Sequence, residues 1–394
     1  MIVLLARLAL ALATLLCVGW VLVLARVWRT INAMRRLPST GSADGPRPKV
    51  TAVVAARNEA HTIETGVCSL LAQDGVEMEV IAVDDNSEDD THAILERLAA
   101  ADRRLLVLKA GRVPPGWVAK CYALELGQGR AHGDWLLFTD ADVVHGPHAA
   151  KNAVAAMERE RLDHLAVQPR LEAGGLAEAL VLPLFMLLGQ LRFLDPAGAN
   201  PESKVGIGIG AFNLVRADAY RLRGTHARIR GSMLDDRALG RMMREDGGRG
   251  SVLRAVAQVR HRPYRSAREL YAGVKKSVIG TFGNSAMLTA LMGLVLLVAA
   301  VAPALLLALG LPLWLADQAP WVVAPAALAV ALPMVGLLKA RSVVRFEPLA
   351  ALLFPIGALV IGTCALHAAL VFAVRGTVEW RGRFYTRRDL QDHG

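Results

Sequence analysis

Cysteine is scarce in this chain: Cys17, Cys68, Cys121 and Cys364 are the four among 394 residues. No two form a CxxC pair and two lie in hydrophobic stretches. Neither a disulfide framework nor a zinc site is expected, and the thiols read as small apolar side chains. Histidines such as His61, His92 and His145 lack the spacing of a metal motif and receive no role. The first apolar run has no small-x-small cleavage site before Arg26, which argues against its removal as a leader. Even mixing of charge is missing too. With 54% hydrophobic and 20% charged residues, charge is segregated into blocks, as for membrane segments joined to a soluble domain. The net charge of +10 could serve nucleic acid or anionic lipid. With spans present, an anionic membrane surface is the simpler account, and no nucleic-acid partner is expected.

Residues 2–25 are apolar except for Arg7, enough helix to cross a bilayer core of about 30 Å. An uncleaved anchor over 1–27 is expected. Arg26, Arg29, Arg35, Arg36, Arg47 and Lys49 follow it, so the next domain should lie on the cytoplasmic side of the inner membrane. Residues 28–48, with Pro38 and Pro48, read as a linker. Far downstream, after an interfacial segment over 271–285, apolar runs cover 286–316, 320–338 and 348–374, and a basic tail occupies 375–394. Three full crossings would put the tail arginines, Arg375, Arg381, Arg383, Arg387 and Arg388, outside, against the charge rule. One run is therefore expected to be re-entrant, and Pro355 and Gly357 make the last the candidate.

Between these regions the pattern alternates. Strands are predicted at 50–56, 79–83, 105–108 and 135–138, with helices at 58–71, 91–101 and 119–130. Ser87 and Asp90 are expected to form a capping box for the second helix. Strands about 30 residues apart with helices between them imply a parallel sheet in an α/β domain over 49–270. The apolar stretch 175–194 reads as a core helix or an interfacial one. From Arg221 to Arg268, thirteen arginines face four acids, either a solvated basic face or a lipid-docking surface.

Three acidic clusters stand out. Asp84-Asp85 ends the second strand, Asp140-Ala-Asp142 ends the fourth, and Asp235-Asp236 opens a helical pattern further on. In a parallel sheet, strand ends open on one edge, so the first two clusters should converge. An Asp-x-Asp there suits Mg²⁺ or Mn²⁺ with phosphate oxygens, or is an ordinary strand-to-turn junction. Gly206-Ile-Gly-Ile-Gly-Ala211 formally fits a dinucleotide fingerprint, but it lies too deep in the chain and runs into strand-like Phe212–Val215.

The order Val53-Val-Ala-Ala-Arg-Asn-Glu59, Val83-Asp-Asp-Asn-Ser87, a turn with Lys120, Thr139-Asp-Ala-Asp142 and Leu234-Asp-Asp-Arg-Ala-Leu239 resembles the family 2 inverting glycosyltransferases of GT-A fold, over residues 48–265. Gly116-Trp-Val-Ala-Lys120 and Val378-Glu-Trp-Arg-Gly-Arg-Phe-Tyr385 are similar to a membrane-bound branch found with hopanoid and carotenoid pathways. The resemblance implies roles. Asp84 and Asp85 would read the uracil and ribose of a UDP-sugar, with Arg57 and Glu59 beside them. Lys120 and Asp140 would also contact the donor, and Asp140 with Asp142 would hold a divalent cation on the diphosphate. Gly208, Gly210 and Ala211 would line the acceptor side. Asp236 would be the catalytic base, with Asp235 the alternative.

Two departures matter. The Gln-x-x-Arg-Trp motif of processive polysaccharide synthases is absent, and the base motif is Asp-Asp rather than Glu-Asp. The expectation is single-sugar transfer to a membrane lipid or isoprenoid acceptor: a hopanoid, carotenoid, polyprenyl phosphate or glycerolipid. The rivals are a glycan-chain synthase, a non-catalytic membrane scaffold with a transferase-like domain and, more distantly, an NAD-binding oxidoreductase.

Overall fold

The computed structural model describes residues 2–39, 46–193, 195–282, 285–315, 321, 323–380 and 383–386. Within the expected tail, Arg381, Arg387 and Arg388 lie outside the described residues. The chain divides into two compact units. One comprises residues 1–31, 173–193 and 264–378; the other comprises 32–172, 194–263 and 379–394.

The second unit is built on a seven-stranded sheet. Its strands are β1 (Lys49–Ala56), β2 (Glu77–Asp84), β3 (Leu105–Lys109), β4 (Trp135–Asp140), β6 (His164–Gln168), β8 (Asn213–Arg216) and β9 (Gly250–Arg254). Their order is β3-β2-β1-β4-β8-β6-β9. The pairs from β3 to β4 are parallel, β8 is antiparallel to both its neighbours, and β9 runs parallel to β6. A smaller sheet joins β10 (Val259–His261) to β5 (Val143–His145) antiparallel and to β7 (Arg170–Glu172) parallel. β1 and β4 read Lys-Val-Thr-Ala-Val-Val-Ala-Ala and Trp-Leu-Leu-Phe-Thr-Asp because helices bury both faces of a parallel sheet. Val50, Ala52 and Val54 face one core with Leu137 and Phe212; Val53 faces another with Leu136, Phe138 and Tyr220.

Several local expectations change. The first helix of this unit starts at Ile63, not residue 58. Asn58 takes a left-handed φ of +54°, its N–H donates to Ser87 Oγ at 3.0 Å, and its Oδ1 accepts from the Glu88 N–H at 2.8 Å. The helix starts at Thr91 with Asp90 as its N-cap and no side-chain cap hydrogen bond, so no capping box forms around Ser87. The expected linker is partly docked: Arg36 bridges to Arg254, and the Leu37 N–H donates to the Arg254 carbonyl at 2.8 Å. Most arginines of the 221–268 stretch are exposed or partly exposed, and some of them are engaged within the unit. Arg244 is buried and donates to the carbonyls of Gly198, Asn200 and Pro201, while Arg228 pairs with Glu245 and Arg249 with Glu202.

The other unit is helical. Four helices in it are long and apolar enough to cross a membrane: Ala6–Ala33, Ala286–Pro312, Val323–Ala340 and Pro348–Arg375. Leu176–Phe193 belongs to the same unit and continues through Pro183. Gly293 and Gly362 let two helices approach closely, since a Cβ on Gly293 would lie 2.9 Å from the Gly362 carbonyl. Pro355 does not break the last run. It occupies the first turn of Phe354–Arg375, where a missing N–H costs nothing.

Candidate active site

Register brings the first two acidic clusters level. β1 pairs Ala56 with Asp84 on one side and Ala55 with Asp140 on the other, so both acids emerge from one edge of the sheet. The glycine-rich stretch supplies the third cluster. The Asp140 N–H donates to the Gly210 carbonyl at 3.1 Å, and the Thr139 hydroxyl donates to the Ala211 carbonyl at 2.8 Å. Gly210 in turn donates its N–H to Asp236 Oδ2 at 2.9 Å. Asp235 and Asp236 open the helix Asp235–Met242, whose start lies against Gly208 and whose Gly240 meets Gly206. The glycines thus hold two acidic clusters together, and Ala211 is buried between strands.

Lys120 stands at the centre. Its ammonium lies 2.7 Å from Asp140 Oδ1 and 3.1 Å from Asp235 Oδ2. Burial alone would lower its pKa, but Asp140, Asp235 and Asp236 more than offset this and hold the ammonium well above its usual range. Burial and the neighbouring Asp235 charge push Asp236 up to about 6, against the pull of Lys120. A cavity opens among Lys120, Asp140, Gly210, Asn213 and Asp236.

Asp142 faces a residue that sequence reasoning missed. His261 Nε2 lies 3.1 Å from Asp142 Oδ2, and ligand atoms of Asp140, Asp142 and His261 all fall within 4.8 Å of one another. Two carboxylates and an imidazole suit Mn²⁺, with Mg²⁺ favoured less by the nitrogen. Burial would lower the His261 pKa, but Asp142 and then Asp140 outweigh it and raise it. No local spacing announces this histidine. The antiparallel pairing of β10 with β5, which sets His261 beside Val143, places it there.

The donor-side residues divide. Asp84 Oδ1 accepts from the Ser87 N–H at 3.0 Å and its carboxylate is nearly inaccessible, so it shapes its own turn. Arg57 donates to the carbonyls of Asp85 and Asn86 at 2.8 and 3.0 Å, fixing the same loop. Glu59 accepts from the Thr62 hydroxyl at 2.7 Å. Asp85 is paired with Arg383, another residue to which no site role had been given. His145 and His226 are buried, and that burial lowers them to about 3 and about 4, so they are neutral. His145 Nε2 lies 3.3 Å from the Thr139 hydroxyl and braces the strand end.

A mostly parallel α/β sheet carrying such clusters on its carboxyl edge defines a GT-A glycosyltransferase domain. The model of Glycosyl transferase family 2 matches residues 51–221. Over 93% of this chain and 99% of the other, the fold is similar to the mannosyltransferase PcManGT from Pyrobaculum calidifontis, solved with GDP-Man and Mn²⁺, at TM-score 0.53 and 19% identity. Over 95 residues, 24% of the chain, it is 42% identical to the succinoglycan biosynthesis protein ExoO of Rhizobium meliloti (strain 1021). Over 200 residues, 49% of the chain, it is 24% identical to a 4,4'-diaponeurosporenoate glycosyltransferase of Staphylococcus haemolyticus (strain JCSC1435). The matches cover 26% and 50% of these two relatives' own lengths.

Proposed function

We propose that the chain is an inverting, metal-dependent glycosyltransferase that moves one sugar from a UDP-sugar to a lipid-like acceptor at the inner face of the cell membrane. The observation that carries this reading is the convergence of Lys120, Asp140, Asp235 and Asp236 beside the Asp140–Asp142–His261 cluster. Asp235 is engaged by Lys120, whereas Asp236 has a raised pKa and accepts from the backbone N–H groups of Gly210 and Arg237. Asp236 is therefore the base. Its carboxylate takes the proton of the acceptor hydroxyl while that oxygen attacks the anomeric carbon. The bond from that carbon to the diphosphate breaks on the opposite face, which inverts the configuration. Lys120 sets positive charge against the departing diphosphate, and Asp85 accepts from the nucleoside. A divalent cation held by Asp140, Asp142 and His261 would supply further charge neutralisation for the diphosphate.

The lipid acceptor is supported by the four apolar helices and by the similarity to a carotenoid-type transferase. A substrate that stays in the bilayer gives a reason for tethering its enzyme there. The match to a succinoglycan biosynthesis protein favours a second reading, addition to a growing glycan. One experiment separates them. Membranes containing the protein are incubated with radiolabelled UDP- and GDP-sugars, and the products are extracted and weighed. A lipid carrying one added sugar, lost with EDTA and restored by Mn²⁺ or Mg²⁺, is expected. Water-soluble polymer would select the second reading, and label transfer undiminished in Asp142→Asn and Asp236→Asn would end both.

A further inference from the structure

The C-terminal strand Arg383–Thr386 belongs to the transferase unit, yet the mechanism above gives it no task. Arg383 donates from Nη1 and Nη2 to the two oxygens of Asp85, at 2.8 and 3.0 Å. The Asp85 side chain is only 7% exposed. Two residues on, Tyr385 is buried, with its hydroxyl hydrogen-bonded to the backbone of Ala119. Ala119 begins the helix that carries Lys120, and that helix has no side-chain cap. Phe384 between them points outward, as strand alternation requires. The strand is thus tied to the acid of the nucleoside side at one position and to the Lys120 helix at the other.

We propose that Arg383 is a positioning residue for the donor: it fixes the Asp85 carboxylate so that its remaining lone pairs face the N–H and hydroxyl groups of a nucleoside. The proposal rests on the reading of Asp85 given above. A carboxylate offers about four lone-pair sites and a forked guanidinium uses two, which leaves capacity for two more donors. The main chain of Asp85 is already held: its N–H donates to the Ala56 carbonyl and its carbonyl accepts from Arg57, both at 2.8 Å. Only the side-chain rotation is left to set, and Arg383 sets it. Without that partner, a carboxylate this buried turns toward water or takes up a proton, and either change weakens donor binding. Lysine would restore charge but not the fork.

The test uses the full-length protein in detergent, with UDP and GDP titrated calorimetrically alongside steady-state kinetics. Arg383→Ala should weaken binding of the preferred nucleotide and raise the donor KM about tenfold or more, the worth of a charged hydrogen bond. Its kcat should stay within about threefold, because the lost interaction is made equally before and during reaction. Arg383→Lys should recover part of the affinity. In the double variant with Asp85→Asn, loss of Arg383 should add nothing further, since it acts through Asp85. Wild-type affinity in Arg383→Ala beside lost affinity in Asp85→Asn would overturn the role of Arg383 and leave the nucleoside role of Asp85 standing. Multiplying losses in the double variant would also overturn it. If Asp85→Asn bound like wild type, or wild type bound neither nucleotide, both readings would fall together. Should Arg383→Ala not fold, Arg383→Lys carries the same comparison.

Discussion

Asp236 is held between opposing influences, burial and Asp235 on one side and Lys120 on the other, and the balance leaves it titrating near 6. As the proposed base, Asp236 must be ionised to accept a proton, so kcat/KM should fall as pH drops through about 6 and level off above it. Asp236→Asn should lower kcat by a factor of about 10²–10⁴, the usual worth of a general base. Stability should move the other way. A folded-state pKa raised above the unfolded value gives a contribution present at low pH and lost as pH rises through the folded pKa. At pH 8 the ionised carboxylate therefore costs stability, and Asp236→Asn should unfold at a higher temperature than wild type. The gain should shrink toward pH 4. Equal unfolding midpoints at both pH values would contradict the burial of this acid. His261 makes a separate prediction. His261→Ala should raise the Mn²⁺ concentration for half-maximal activity about tenfold or more, the order of magnitude by which even an outer partner changes a metal site.

Among the elements, the glycine-rich stretch 206–211 does the joining. A Cβ on Gly210 would lie 2.6 Å from Asp140 Oδ2, the movable end of a side chain, whereas one on Gly208 would meet the Asp236 backbone, which cannot yield. The two alanine variants should therefore differ. Gly210→Ala should fold normally and lose activity by a factor of about 10², because Asp140, proposed above to hold the cation, is displaced. Gly208→Ala should lower the thermal midpoint as well, by a cost of about 1–3 kcal/mol for overpacking. Circular dichroism melts beside transfer assays check this. Identical behaviour of the two variants would mean that the stretch does not set the spacing of the acids.

For the whole molecule, residues 32–172 and 379–394 belong to one unit, while the apolar helices lie between them in the sequence. A chain that leaves and returns to the same side crosses the membrane an even number of times. With residues 32–172 and 379–394 on one side, we expect one of the helices Ala286–Leu315, Val323–Ala340 and Phe354–Arg375 not to run from face to face. Phe354 packs edge-on against Trp20 with centroids 5.3 Å apart, so the last helix begins beside an interior turn of the helix Ile2–Ala33. We expect the last run to enter and leave on one side. In a cysteine-free background, Ser342→Cys and a cysteine appended to the C-terminus should both resist a membrane-impermeant maleimide in intact cells and react after permeabilisation. Labelling of the appended cysteine in intact cells would mean three full crossings and would separate Arg383 from Asp85.

The sequence by itself determined what depends on short-range pattern. Continuous apolar runs between turn residues made β1, β2 and β4 readable, because a strand buried on both faces must be apolar throughout. Asp85 and Asp140 were readable as neighbours on one edge of the sheet because parallel strands end there. The four apolar helices were readable from the length and apolar composition of their runs. Tertiary structure decided what depends on contacts between distant residues. His261 joins Asp142 only through β10–β5 pairing, and Arg383 reaches Asp85 across 298 positions, a separation at which no spacing rule operates. It also decided which acid is which. Asp84 and Asp85 are adjacent in sequence, but strand alternation turns one into its own turn and offers the other to Arg383. Likewise Asp235 and Asp236 differ because Lys120 reaches only one of them within ion-pair distance, and that distance is set by packing, not by the letters Asp-Asp.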